Sequence, residues 1–324
     1  MSRALVVRAL SDDLSSLKLE TREVAAPARG EVKVRLRAAS VNFPDILMVQ
    51  GKYQLKPDLP FTPGMEGAGD VVAVSEGVSR VKVGDKVVTG ARFGCFADEI
   101  VVPEGAVRPL PRGFDYAKGA AYRAAYLTAY VALVRRGELR PRERLLVHGA
   151  AGGVGLAAVD LGKLLGAQVI ATASSDEKRA FLRAYGADHV LAPSGFREAV
   201  KELTGGRGAD VIYDPVGGDV FDESVRCIAF GGRLLVIGFT GGRIPTLSAN
   251  MPLIKGFSVV GVRAGEYGRQ FPERGAENVR TIDAWAAEGK IRPHVCASFP
   301  LEQAHDAMAM LQTRRVIGKV VLTM

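Results

Sequence analysis

One stretch constrains this chain more than any other. An apolar, strand-like run, Leu145-Leu146-Val147-His148, leads into Gly149-Ala150-Ala151-Gly152-Gly153-Val154-Gly155, and an apolar helix is expected from about Val154 to Leu165. The spacing G-x-G-x-x-G falls on Ala150, Gly152 and Gly155, with Ala in place of the first Gly. At the second position a missing side chain lets the backbone approach a pyrophosphate, and at the third it lets the helix sit close to its strand. The helix N-terminus, to which Gly153 and Val154 belong, then offers unpaired N–H groups and a positive dipole end. Such a triplet is weak evidence alone, since a glycine turn can exist without a ligand. A strand before it and a helix after it supply the required context.

The surrounding rhythm agrees. Further apolar runs at Gln168–Thr172, 188–191, Ala209–Asp214, 232–237 and 257–261 alternate with helical patterns at Asp176–Tyr185, Phe196–Leu203 and 219–228. Six strands alternating with helices predict an α/β fold with a doubly wound parallel sheet, the Rossmann pattern. Residues 1–121 read differently. Period-two alternation in Glu31-Val32-Lys33-Val34-Arg35-Leu36 marks a half-buried strand, residues 80–88 read as two short strands about a Gly-Asp turn, and Pro and Gly recur between. The first region is therefore expected to be a β-barrel. Residues 266–324, with a helix around Trp285, a strand near His294, a helix from Leu301 and a last strand from Lys319, are expected to return and complete it, leaving 122–265 as the Rossmann domain.

A second clue is an absence. Dinucleotide sites that take NAD place Asp or Glu at the end of the second strand to hold the ribose hydroxyls. Here that place is Ala173, followed by Ser174, Ser175 and, one turn on, Lys178 and Arg179. Hydroxyls and an ammonium can hydrogen-bond a 2′-phosphate that a carboxylate would repel, so NADPH is favoured over NADH. The competing readings are a solvated Lys178 and Asp176 as the cap of the next helix.

The formal net charge of +8 is spread among acids rather than massed, so an anionic cofactor accounts for it as well as nucleic acid does, and no aromatic stacking motif supports nucleic acid. Three cysteines, Cys95, Cys227 and Cys296, are too few and too far apart for a disulfide framework or a metal knuckle. No apolar run reaches the ~20 residues of a membrane span, and no leader peptide is evident, so a cytoplasmic location is expected.

On 64–69 (Gly-Met-Glu-Gly-Ala-Gly), 83–87 (Val-Gly-Asp-Lys-Val), the His148–Gly155 turn, 214–218 (Asp-Pro-Val-Gly-Gly) and 318–322 (Gly-Lys-Val-Val-Leu), the chain resembles the medium-chain dehydrogenase/reductase superfamily over its whole length, closest to the NADPH:quinone oxidoreductases. The resemblance implies a GroES-like β-barrel catalytic domain with the Rossmann domain, and a homodimer. It also implies zinc independence, because zinc-dependent members carry Cys where this chain has Asn42 and His where it has Met65. With no metal ligands, hydride delivery to a quinone or conjugated enone becomes the expected chemistry. By the same resemblance Asn42, Asp45 and Thr128 approach the reacting groups, Tyr130 lies beside the nicotinamide, and Val216, Gly238 and Thr240 follow the cofactor's far half. Arg314 or Arg315 meets its phosphates. Tyr53 matches the proton-donating Tyr of 2-enoyl thioester reductases, though a packing role fits it equally. Leu47 and Pro193 depart from the pattern, each standing where some relatives have Tyr. The alternatives are an enoyl or acryloyl thioester reductase, and a non-enzymatic NADPH-binding protein.

Overall fold

In the computed structural model, which describes all 324 residues, the alternation at Glu31 becomes an 11-residue strand whose Val32, Val34 and Leu36 face inward. It is the spine of the first of two units, formed by Met1–Ala124 and Pro293–Met324. The elements there are β1 (Ser2–Val7), β2 (Leu17–Arg22), β3 (Glu31–Val41), α1 (Phe43–Val49), β4 (Glu66–Val74), β5 (Lys86–Gly90), β6 (Glu99–Pro103), β7 (Val107–Pro109) and α2 (Tyr116–Ala121). Helix α3 (Arg123–Tyr130) carries the chain across the division and continues as a π-helical segment, Val131–Arg136.

The second unit, Ala125–Arg292, then alternates β8 (Arg144–Val147), α4 (Gly153–Leu164), β9 (Gln168–Thr172), α5 (Asp176–Tyr185), β10 (His189–Leu191), α6 (Phe196–Leu203), β11 (Ala209–Asp214), α7 (Gly218–Ser224), β12 (Ile228–Val236), α8 (Asn250–Lys255) and β13 (Ser258–Gly261), and ends in α9 (Ala264–Gln270) and α10 (Pro272–Ala287). The last elements, β14 (Val295–Pro300), α11 (Ala304–Gln312) and β15 (Lys319–Thr323), belong to the first unit.

In the first unit the strands run β14-β15-β3-β4-β5-β7, with β6 also paired to β3, and only the β14–β15 pairing is parallel. The core joins Val32, Val34 and Leu36 to Ile46 of α1 and to Val320 and Leu322 of β15. Residues 80–88 give one strand rather than two. Gly84 turns at φ +92° and only Lys86 onward joins the sheet, because Val83 stays 59% exposed with no apolar face to pack on.

The second unit holds the expected six strands, all parallel, in the order β10-β9-β8-β11-β12-β13. Leu145, Leu146, Val147, Val211 and Ile212 are fully buried, as the central strands of a sheet covered on both faces should be. The chain builds outward from β8 to β10 and then resumes on β8's other side at β11. The sheet's topological switch point thus lies between β8 and β11.

Residues 266–292 pack with the second unit, contrary to the expectation that they return to the barrel. Trp285 sits on Tyr130 (ring centroids 5.5 Å apart), and Asn278 Oδ1 accepts from Arg135 Nε at 2.8 Å. The turn back is fixed by Asp160 of α4, which is 4% exposed. Its carboxylate accepts from Tyr126 Oη (2.7 Å), from the Arg292 backbone N–H (2.8 Å) and from the Arg292 guanidinium (3.0 and 3.1 Å). A buried carboxylate needs such partners, and they hold the segment to α4 up to Arg292.

Candidate functional site

Helix α4 begins at Gly153 with Gly152 as its N-cap, and no side chain caps it. The first N–H groups of a 12-residue helix are thus left for another acceptor. The two fingerprint glycines are not equivalent. A Cβ on Gly155 would stand 2.4 Å from the Gly149 carbonyl oxygen and 2.8 Å from Ala150 Cα, so the helix rests directly on the turn. A Cβ on Gly152 would meet only Gly149 O, at 3.3 Å. The protein excludes a side chain at Gly155, while the open face at Gly152 is a cradle that a side chain would fill. This arrangement fits the pyrophosphate of a dinucleotide. Ala150 and Gly155 are buried, and Gly152, Gly153 and Val154 are partly exposed.

All strands of a parallel sheet present their C-terminal ends on one edge, and Ser174, Ser175, Lys178, Val216, Gly238 and Thr240 gather there. After β9, Ala173 is buried at the position of the usual acid, Ser174 is exposed, and Ser175 and Lys178 are half-buried. Ser175, not Asp176, caps α5: its Oγ accepts the Lys178 backbone N–H at 3.3 Å. Arg179 reaches back to donate to the Ala173 carbonyl at 2.9 Å, which places a second cation at this rim. After β11, buried Asp214 accepts from the N–H groups of Val216 (2.8 Å) and Gly217 (3.0 Å), and burial raises its pKa. After β12, Thr240 donates its N–H and its hydroxyl to the Pro215 carbonyl, at 3.0 and 2.9 Å. Gly238 lies beside the same carbonyl, which a Cβ there would meet at 3.5 Å.

His148 joins three of these elements. Ser224 Oγ donates to the Val220 carbonyl at 2.6 Å, so toward His148 Nε2, 2.8 Å away, it accepts. His148 Nδ1 therefore accepts from Thr172 Oγ1 at 3.0 Å. Burial depresses the imidazole pKa to about 3, which keeps the ring neutral and the hydrogen bonds in this order. The ends of β8 and β9 and helix α7 are thereby tied together under the turn.

In the first unit, Asn42 caps α1 where β3 ends. Its Oδ1 accepts from Lys319 Nζ at 2.6 Å, and its Nδ2 donates to Glu66 Oε1 at 3.1 Å. Lys319 and Glu66 are 7% and 3% exposed and pair at 3.0 Å, while Glu66 Oε2 accepts the Ala124 N–H at 2.8 Å. The antiparallel pairing of β15 with β3, and of β3 with β4, brings these three strand ends to one place. Neither Glu66 nor Lys319 was singled out in sequence. Asp45 corrects an expectation. It is completely buried, its oxygens accept from the N–H groups of Asn42 (2.8 Å) and Gly64 (3.1 Å), and burial lifts its pKa to about 7. It fixes the Asn42 loop from beneath and has no exposed atom.

Tyr53 is half-buried and packs against the first unit's core. Arg315 is exposed, its Nε donating to Thr313 Oγ1 at 3.1 Å, and neighbouring Arg314 takes φ +55°. Thr128 and Tyr130 lie on α3 in the second unit. Thr128 is half-buried, and Tyr130 is 7% exposed with the Arg135 guanidinium 5.8 Å from its ring centre. Tyr53 and Arg315 thus belong to the first unit, Thr128 and Tyr130 to the second.

A catalytic zinc does not fit this donor set. Asn42 offers an amide already held by an ammonium, Met65 a thioether, and Glu66 a carboxylate paired with Lys319. Cys95 is fully buried, and burial pushes its thiol pKa up.

Comparison with known proteins agrees with the two-part division. Residues 28–112 match the alcohol dehydrogenase GroES-like domain, and residues 153–280 match the family described as zinc-binding dehydrogenase. The mouse quinone oxidoreductase-like protein 2 is 38% identical over 311 residues, covering 94% of this chain and 89% of its own length. Among solved structures, the Pseudomonas syringae quinone oxidoreductase superposes with a TM-score of 0.91 at 30% identity, over 100% of both chains. The Escherichia coli quinone oxidoreductase complexed with NADPH gives a TM-score of 0.91 at 29% identity, again over 100% of both.

Replacing Lys319 by Met strands Glu66 as a buried carboxylate without its cation. Urea unfolding should register a loss of about 3–5 kcal/mol, most of it recovered when Glu66→Gln is added. Additive losses from the two changes would contradict the coupling.

Proposed function

Because the chain belongs to the medium-chain dehydrogenase/reductase family, we propose that it is an NADPH-dependent oxidoreductase that delivers hydride, without metal, to a quinone or a conjugated enone. The observation that carries the cofactor choice is the rim after β9. Ala173 stands in place of the acid that would hold a free ribose, and Ser174, Ser175, Lys178 and Arg179 surround it with hydroxyls and positive charge. NADPH, when bound, supplies the hydride. The turn at Gly152–Gly155 holds the pyrophosphate on the α4 amides, and the rim residues hold the 2′-phosphate.

The Asn42–Glu66–Lys319 cluster supports the metal-free part of the reading. Where a catalytic zinc would need three open ligands, this chain has a saturated, buried ion pair. Without a Lewis acid, the acceptor has to be electrophilic on its own, as a quinone or an enone is. Lys319 and Glu66 fix the Asn42 amide from both of its ends, and Asp45 fixes its loop. Tyr53 is the residue of this chain suited to return a proton to a reduced carbonyl or enolate, since a phenol, with an ordinary pKa near ~10, can act as general acid.

A spectrophotometric screen at 340 nm tests the reading. NADPH should be oxidised with 1,4-naphthoquinone or a simple enone, and kcat/KM with NADH should be at least about tenfold lower. Lys178→Glu should narrow that difference. Equal use of the two nucleotides would defeat the assignment, as would turnover confined to crotonyl thioesters, which would move the chain to the enoyl reductases.

The second unit also offers a surface for self-association. Strand β13 is an edge of the six-stranded sheet, and beside it Phe230, Leu253 and Ile254 are 86%, 81% and 70% exposed. A second copy pairing edge to edge would cover both the open backbone groups and this apolar patch. Sedimentation should show a dimer that Leu253→Asp disrupts, and a monomeric wild type would reject the pairing.

A further inference from the structure

Strands β8 and β9 pair as far as Val147 and Ala171, and there the ladder between them ends. The loops that follow are the cofactor turn on one side and the rim after Ala173 on the other. Two hydrogen bonds join them beyond the ladder. The Ala150 N–H donates to the Thr172 carbonyl at 3.0 Å, and the Thr172 hydroxyl donates to His148 Nδ1, also at 3.0 Å. The first is made by backbone and is open to any sequence. The second exists only because these two side chains were chosen.

Both partners of that second bond are sealed in. Thr172 is 2% exposed and His148 1%, and the imidazole meets the Phe196 ring edge-on, with centroids 4.7 Å apart. Ser224 sets the direction of the bond. Its hydroxyl already donates to the Val220 carbonyl, so it can only accept from Nε2, and Nδ1 is left as an obligate acceptor. Thr172 is β-branched and has few side-chain orientations open to it. Tying its hydroxyl to Nδ1 therefore fixes the backbone of the strand end as well.

Support from the other side is thin. Strand β10 is an edge of the sheet, three residues long and only half-buried. It meets the rim at the Leu191–Thr172 pair and through the Ala173 N–H, which donates to the Leu191 carbonyl at 3.2 Å. The Ser175 cap and the Arg179 bond to the Ala173 carbonyl stay within the rim and move with it. The place of the rim relative to the turn is thus set from β8.

We propose that Thr172 and His148 are positioning residues for nucleotide choice. Their hydrogen bond holds the rim where Ser174, Ser175 and Lys178 meet a 2′-phosphate while the pyrophosphate lies on the α4 amides. The assignment rests on the NADPH reading and adds to it two buried residues with a consequence that a general brace would not have. NADH carries no phosphate for the rim, and Ala173 offers its ribose no acceptor. Loosening the rim therefore weakens NADPH and leaves NADH almost as it was.

The experiment measures the dissociation constants of NADPH and NADH by isothermal titration calorimetry, with urea midpoints as a control. Thr172→Val exchanges the hydroxyl for a methyl of the same shape at a strand end, and Thr172→Ser keeps the hydroxyl. Thr172→Val should weaken NADPH at least about fivefold, the scale of one hydrogen bond, and NADH less than about twofold. Thr172→Ser should stay within about twofold of the wild type for both. His148→Phe, which removes the acceptor, should repeat the Thr172→Val pattern, and the double variant should lose no more than either single one. If His148→Phe does not fold, the two Thr172 variants carry the test by themselves.

Equal losses for the two nucleotides would overturn the proposal. So would NADPH affinity untouched by Thr172→Val, or a loss in Thr172→Ser as large as that in Thr172→Val. A wild type that binds NADPH and NADH equally would defeat the NADPH reading, and this role with it. A wild type that prefers NADPH but gives any of the three earlier results would defeat the positioning role alone.

Discussion

The first turn of α4 lies directly against the backbone of Gly149 and Ala150, with no side chain between, and the second unit is arranged around that contact. A methyl group at Gly155 would sit 2.4 Å from a carbonyl oxygen, so the approach exists only with glycine there. The contact sets the angle at which α4 leaves β8. It leaves the helix's first amides uncapped at the switch point of the sheet. His148, neutral and fully engaged, locks the ends of β8 and β9 to α7 below it, so the turn and the rim that follows Ala173 are held as one piece.

The first unit depends on a charged pair instead. Lys319 and Glu66 compensate each other in a place that water barely reaches, and the Asn42 amide is suspended between them. An isolated charge of either sign would be costly there, so the two residues stand or fall together. That coupling orients the candidate amide at the end of β3. Asp45 contributes in the same way from underneath, by accepting two backbone N–H groups.

Much of this was legible because it is local. The turn, the six alternating strands and the vacant acid position at Ala173 are patterns over a few residues, governed by backbone approach and by the period of side-chain burial. What was not legible depends on distance along the chain. Lys319 lies 277 residues from Asn42, and only the pairing of β15 with β3 makes them neighbours. The placement of residues 266–292 failed for a similar reason. Helices α9 and α10 carry no strand signal that would extend a Rossmann rhythm, and what ties them to the second unit is Trp285 on Tyr130, Asn278 on Arg135 and Arg292 on Asp160. Asp45 is placed near the reacting groups by the resemblance, and its complete burial, which no local pattern signals, makes it a brace for the Asn42 loop instead.

The claim that the rest hangs on is that the Gly152 face is open for a ligand while the Gly155 face is closed by the protein. Measuring both NADPH affinity and cofactor-free stability for Gly152→Ala and Gly155→Ala separates the two. Gly152→Ala should unfold at the wild-type urea midpoint yet bind NADPH at least about tenfold more weakly, a loss of about 1.4 kcal/mol, whereas Gly155→Ala should lose stability even without nucleotide. Wild-type affinity in Gly152→Ala would contradict the account, because the cradle would then hold nothing that a methyl group disturbs.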